Sequence, residues 1–454
     1  MDCTTIVRGG SVVTGDRTLV ADVAILDGRI VAVGAALDLT AGEEIDASGL
    51  HVLPGVVDAH VHLNEPGRAE WEGFATGSAA VAAGGGKCFV DMPLNAHPPT
   101  IDAAAFDAKL AAALASSITD FAFWGGLVPG NLGELGDLAT LGVVGFKAFM
   151  CPSGIDDFPY ADDATLRDGM ARAAELGLPV AVHAEDAALT TRLADETIAA
   201  GRPGESMGWR DFVASRPVEA ELDAIERAAA IAEETGCSLH VVHVSSGRGV
   251  RLIAAAKDRG VDVTCETCPH YLLFSEHDLD TLGATGKSAP PLRPASEREK
   301  LWSELAVGSI DLIASDHSPA PAALKSAADY FAVWGGISGC QSLLPALLPE
   351  ARRRGFDIAR LVSSVTSGPA ERFRLPGKGR IAPGYDADLA IADLEATGPL
   401  TAEALQYRHR HSPYVDRIPH AHVVRTIRRG ATIWLDGRLV GASAGRLVRP
   451  SGVR

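Results

Sequence analysis

Pro54-Gly55-Val56-Val57-Asp58-Ala59-His60-Val61-His62 opens on a turn signal, continues as a short apolar run and ends on two imidazoles two residues apart. A short apolar run of this kind reads as a buried strand. Side chains two apart on a strand share a face, so His60 and His62 can converge on one point. Two neutral imidazoles aimed at one point suit a divalent transition metal. An isolated pair of this spacing is common without any metal, so the remaining donors have to come from elsewhere in the chain.

The texture downstream of Pro54 alternates apolar strands with Ala-rich helical segments. Candidate strands end near His62, Asp91, Phe123, Lys147, His183, His243, Glu266 and Asp316, and helical patterns cover Asp102 to Ala115, Asp163 to Leu176, Ala220 to Glu234 and Gly247 to Asp258. About eight strand-helix units over ~250–300 residues is the length of a (β/α)₈ TIM barrel, an α/β fold. The two ends of the chain read differently. Short apolar runs separated by Gly9-Gly10 and Asp27-Gly28 before Pro54, and Asp386-Ala387-Asp388-Leu389-Ala390-Ile391 with Thr426 to Ile433 near the C-terminus, are β-rich. Neither end has enough strands to bury a core alone. Residues 1–53 and 379–454 are therefore expected to meet as one small β-sandwich domain beside a barrel over 54–378.

Barrel chemistry gathers at the C-terminal ends of the strands. His60, His62, Lys147, His183, His243 and Asp316 all fall there. Singly, each has an ordinary reading: a core histidine, a lysine reaching solvent, an aspartate capping a helix. Jointly they can hold two divalent ions, provided that the lysine becomes an anion. A neutral buried amine can react with carbon dioxide to give a carbamate with two oxygen donors, and burial beside cations favours the neutral form. His240, three residues before His243, is expected to face the other side of its strand and to be structural.

The chain has 454 residues, 47% of them hydrophobic, enough for one large domain and a smaller one. A formal net charge of -17 argues against nucleic-acid and anionic-membrane partners, which its average field repels. The N-terminus carries no basic, apolar leader pattern, no apolar run reaches the length of a membrane span, and seven irregularly spaced cysteines form no disulfide framework. A cytoplasmic location is expected. Cys265-Glu266-Thr267-Cys268 has no second cysteine pair and reads as buried structure, and Gly84-Gly85-Gly86-Lys87 precedes a strand and so reads as a helix cap and turn.

These motifs resemble the cyclic amidohydrolases of the amidohydrolase superfamily, from Gly55 to His62 through to Gly379-Arg380-Ile381-Ala382-Pro383-Gly384-Tyr385-Asp386-Ala387-Asp388. Within that family the dihydroorotases follow the paired histidines with a carboxylate-binding arginine, where this chain has Asn64. The hydantoinases and dihydropyrimidinases place a tyrosine five residues after the bridging lysine, where this chain has Pro152. Asn64-Glu65-Pro66-Gly67-Arg68, Gly145 to Met150, Glu266 to Tyr271, Ser315 to Pro319, Trp334-Gly335-Gly336-Ile337 and Tyr407-Arg408-His409 are similar instead to the allantoinases. One departure is Lys287-Ser288-Ala289-Pro290-Pro291, where those enzymes often place Cys-Ser before the prolines.

The resemblance implies a binuclear hydrolase in which His60, His62 and Asp316 hold one ion, His183 and His243 the other, and carbamylated Lys147 bridges them, with zinc the favoured metal. It implies a hydroxide attacking a hydantoin carbonyl, with Asp316 as the catalytic proton carrier and allantoin opening to allantoate. Asn64, Ser288, Trp334 and Gly335 are the candidate substrate contacts, and a homo-oligomer, a tetramer in preference to a dimer, is the expected assembly. The rival readings are a hydantoinase or dihydropyrimidinase, and a non-catalytic scaffold, which has no physical need for a carbamate-forming lysine.

Overall fold

The computed structural model describes residues 2–15, 17–201 and 206–452. Three parallel strands, Val56–Val61, Gly86–Asp91 and Asp120–Phe123, pair in sequence order. A second parallel run follows: Gly125–Gly126, Phe146–Phe149, Val180–His183, Leu239–Val241, Val263–Thr267 and Leu312–Ile313. The piece Gly125–Gly126 continues the third strand past Trp124, and Val144 N–H donates to the Phe123 carbonyl at 2.9 Å, which joins the two runs. At the other seam Val61 bridges His317 in parallel, and His62 N–H donates to the His317 carbonyl at 2.7 Å. The strands therefore close into the expected (β/α)₈ barrel.

Local chemistry explains the helices. Asp102 caps the helix Ala103–Ser116 by accepting from Ala105 N–H at 2.8 Å, and Asp162 caps Asp163–Leu176 in the same way through Thr165. The latter ends at Gly177, whose φ of 68° suits a residue with no Cβ. Val218–Thr235 and Gly247–Asp258 complete the set read from periodicity. Gly84 caps Phe74–Ala83 and Gly86 begins the next strand, as the glycine run implied. Cys265 and Cys268 are buried free thiols. Among the described residues no helix is long and apolar enough to cross a membrane.

The terminal segments share one hydrogen-bonded sheet. His51–Pro54 pairs antiparallel with Leu389–Pro399, and Cys3–Val13 pairs with Thr18–Leu26 along one edge and with Ala41–Asp46 and His51–Pro54 along the other. The buried residues Val7, Val23, Ile25, Val52, Leu389 and Ile427 form one cluster drawn from both ends of the sequence. The last stretch leaves that sheet, and Val448 N–H donates to the Phe121 carbonyl of the barrel's third strand at 2.8 Å.

A buried ionic knot ties this sheet to the barrel. Lys378 Nζ lies 2.6 Å from Asp120, 2.7 Å from Asp388 and 3.0 Å from Asp386, and Arg429 also donates to Asp120. The three carboxylates enclose a lysine, and its ammonium supplies the compensating charge that a metal would otherwise bring. Removing one partner of such a group leaves buried charge uncompensated, so Lys378→Met is expected to cost about 3 kcal/mol. Urea unfolding measures this, and an unchanged midpoint would contradict it.

Candidate metal centre

His60 lies on the first strand and His62 one residue beyond it, with ring centroids 5.3 Å apart. Asp316 lies past the short strand Leu312–Ile313, and no helix starts at it. Its Oδ1 is 3.2 Å from His60 Nε2 and 3.5 Å from His62 Nε2. Burial raises the pKa of this carboxyl group, but the imidazoles of His60, His62 and His243 outweigh it and hold Asp316 well below the usual carboxylate range. The three donor atoms lie within 4.8 Å of one another.

His183 ends its strand, whereas His243 stands two residues beyond Leu239–Val241. His183 Nδ1 and His243 Nε2 are 3.0 Å apart, and the His60 and His243 rings lie 5.5 Å centre to centre, so the two donor groups adjoin. His183 turns its other nitrogen, Nε2, to Glu185 at 2.8 Å. A proton on that nitrogen leaves Nδ1 with a free lone pair. Burial lowers the pKa of both histidines, His243 furthest, which keeps them in the neutral form that metals bind.

His243 at φ 40° and Asp316 at φ 45° both occupy the left-handed region. Such conformations cost on the order of 1–3 kcal/mol for residues other than glycine and gather at functional sites. The turn at His243 explains one departure from simple alternation. His240 was expected on the opposite side of its strand from the site, yet its Nε2 is 3.2 Å from Glu266 Oε2, and Glu266 Oε1 is 2.6 Å from His60 Nδ1. The strand ends at Val241 and the chain turns at His243, so two residues three apart both serve the centre.

Glu185 and Glu266 thus each orient a histidine, the outer layer of contacts that fixes imidazole tautomers in metal sites. Burial pushes both carboxyls up, but Arg216 and His183 bring Glu185 down to about 2, and His60 and His240 do the same for Glu266. Neither orienting role was visible in the sequence. Glu185 was within reach, since it follows His183 by two residues. Phe149 stacks on the His183 ring at 4.5 Å and restrains it from the other side.

Lys147 is fully buried within the strand Phe146–Phe149. Its Nζ lies 3.9 Å from the centre of the Phe149 ring and 3.2 Å from the Ala148 carbonyl, and among the described residues it makes no ion pair. Burial depresses its pKa from 10.5 to about 7, so the free amine is well populated at neutral pH. The fit to a metal is therefore good: burial holds His62, His183 and His243 toward the neutral form, Asp316 is ionised and Lys147 is deprotonatable, while at His60 burial is outweighed by the charges of Asp316 and Glu266, which raise its pKa. The unpartnered buried Nδ1 atoms of His62 and His243 are the loose ends.

The centre opens into a cavity of about 470 Å³. His60, His62, His183, His243 and Asp316 line one end, and Ser288, Trp334 and Gly335 form part of the wall. Asn64 does not line it. That side chain is buried at φ 65° and directs Nδ2 to the Pro319 carbonyl at 3.4 Å, whereas Asn95 does reach the cavity. Ser288 directs its hydroxyl to the Pro290 carbonyl at 2.9 Å, and Ala289 lines the cavity beside it.

A model of the amidohydrolase family matches residues 51–433. The chain belongs to that family. Among its amidohydrolase relatives, an allantoinase from Rubrobacter xylanophilus is 56% identical over 98% of this chain and 97% of its own length. An allantoinase from Solibacter usitatus is 52% identical over 98% and 96%. Solved amidohydrolase structures superpose closely as well. An L-hydantoinase (dihydropyrimidinase) from Arthrobacter aurescens reaches a TM-score of 0.95 at 34% identity, covering 98% of this chain and 100% of that one.

Proposed function

We propose that this protein is a binuclear metal-dependent cyclic amidohydrolase that opens the hydantoin ring of allantoin to give allantoate. The observation that carries this reading is agreement along nearly the whole chain with relatives named allantoinase, at 56 and 52% identity. The hydantoinase shares the same barrel, at a TM-score of 0.95, but is less similar in sequence, at 34% identity. Pro152 favours that distinction: it lines the cavity where the hydantoinases carry a tyrosine, and it has no hydroxyl to offer an oxyanion.

His60, His62 and Asp316 would hold one divalent ion, His183 and His243 the other, and Lys147, as its carbamate, would join them, with zinc the proposed metal. When bound, such ions polarise a carbonyl and make water acidic enough to be a nucleophile near neutral pH. The chain supplies the rest. Glu266 holds the proton of His60 on Nδ1, and Glu185 holds that of His183 on Nε2, which keeps the other nitrogens available as donors. Asp316, ionised and lining the cavity, takes the proton of the attacking water on its carboxylate and returns it to the ring nitrogen as the C–N bond breaks. Water thus adds hydroxyl to the carbonyl carbon and hydrogen to the nitrogen. All six donors fall within 54–378, which supports treating that span as the catalytic domain and 1–53 with 379–454 as the smaller one.

Protein reconstituted with metal and bicarbonate is expected to hold about two divalent ions per chain, as binuclear hydrolytic sites do. Elemental analysis finding none would overturn the centre. Allantoin is expected to exceed dihydroorotate by at least about 100-fold in kcat/KM, because Asn64 stands where the dihydroorotases carry an arginine and the Arg216 guanidinium that lines the cavity is already paired with Glu185, so a substrate carboxylate would be desolvated without a free cation. Comparable efficiency on both would overturn the assignment of substrate.

A further inference from the structure

The cavity is lined by more than its metal end: Arg216, Thr190, Thr191 and Phe212 share its wall with the histidines. Arg216 follows the helix Trp209–Ser215 and is held in place from behind: Arg293 Nη1 donates to its carbonyl at 2.5 Å, and its own Nη1 donates to Glu185, the carboxylate that also meets His183. A guanidinium carries five N–H donors in a rigid fork. Among the described residues, the Arg216 side chain has that one hydrogen bond to oxygen, a contact with Cys151 and an approach of 5.5 Å from Cζ to the centre of the Phe212 ring; 19% of the side chain is exposed, and the residue lines the cavity. The fork thus has more donors than these partners use, on a residue that lines the cavity beside the ring-opening centre.

We propose that Arg216 is the residue that reads the ureido arm of the substrate, donating from its guanidinium to the arm's carbonyl oxygen. This rests on the reading of the site as one for a 5-ureidohydantoin. Glu185 already pairs with the guanidinium charge, so the fork offers hydrogen-bond donors without a net positive charge to neutralise. Such a group suits a neutral, strongly polar acceptor such as a urea oxygen better than a carboxylate. An alkyl arm of the same length would leave those donors unpaired when it expels the water around them, and a site built to hydrogen-bond its ligand discriminates strongly against a ligand that lacks the partner.

The test compares three hydantoins on the metal-loaded full chain: allantoin, unsubstituted hydantoin, and 5-propylhydantoin, whose arm has similar length and no acceptor. Turnover is measured, or competitive inhibition where turnover is too slow. The unaltered enzyme is expected to prefer allantoin to 5-propylhydantoin by roughly ten- to a hundredfold, the worth of one hydrogen bond to a charged group. Arg216→Met should erase most of that preference, and Arg216→Lys, which keeps a charge beside Glu185 but loses the fork, should erase part of it. A role exercised only through Glu185 and His183 would instead lower all three substrates by the same factor, and that result overturns the proposal. Equal efficiency of the unaltered enzyme on allantoin and 5-propylhydantoin overturns it also, without need of a folded variant, and leaves the assigned reaction standing. No hydrolysis of allantoin at all would remove the assigned reaction itself.

Discussion

Lys147→Ala is expected to lose bound metal and activity together. Lys147 is buried among the proposed ligands, is neither an imidazole nor a carboxylate, and makes no ion pair among the described residues. A structural lysine in such a place would be a poor choice, since burial, only partly offset by the charges of Asp316 and Glu266, takes its pKa to about 7. As a carbamate it would contribute the negative charge that lets two cations sit close together. Without it the expected loss in kcat/KM is at least about 10³-fold, equivalent to the several kcal/mol that metal ions supply to a hydrolytic transition state. Elemental analysis should show much less metal while circular dichroism shows the fold retained. Short carboxylic acids added in solution should restore part of both metal and turnover, because they can occupy the space vacated by the side chain and supply its oxygens. Full metal occupancy with normal turnover in Lys147→Ala would rule out the carbamate.

Asp316→Asn separates metal binding from proton transfer. The amide keeps an oxygen toward His60 and His62 but has neither the charge nor the basicity to carry a proton. The expected result is a fall in kcat of about 10²–10⁴-fold, the usual worth of a positioned general acid-base, with a smaller change in KM. Metal content should fall less than in Lys147→Ala, since four histidines and the lysine remain. The imidazoles that now hold Asp316 ionised predict that the native group stays a base through the whole neutral range, so activity should not gain an acid limb from it near pH 5–6. Turnover by Asp316→Asn close to that of the native protein would show that the proton moves elsewhere.

The reading of the sequence was strongest where a local rule governs the outcome. Helices such as Asp163–Leu176 and Gly247–Asp258 match their periodic patterns because capping residues and apolar spacing act within a few positions of each other. The strand ends were less well placed. Lys147 was expected at the end of its strand and lies inside Phe146–Phe149, whereas His243 and Asp316 lie beyond theirs. Both of the latter depend on left-handed backbone turns, which no periodic pattern of side chains encodes. Asn64 shows the same limit: a residue next to the metal-ligand motif in sequence turns away to the Pro319 carbonyl.

By itself the sequence determined the alternation of strands and helices, and with it the one end of the barrel at which four histidines, a lysine and an aspartate must collect. It did so because strand direction and helix spacing are properties of short stretches, and parallel strands joined by helices all deliver their last residues to the same side. Only the tertiary structure decided how those residues are held. Glu266 reaches His60 across 206 positions of sequence, Arg216 reaches Glu185 across 31, and His240 joins the same network through Glu266. The tautomer of each imidazole, and the direction in which a guanidinium points its unused donors, follow from distances of about 3 Å between atoms brought together by barrel closure. Such contacts depend on the sum of every strand tilt and turn between them, and no local pattern carries that sum.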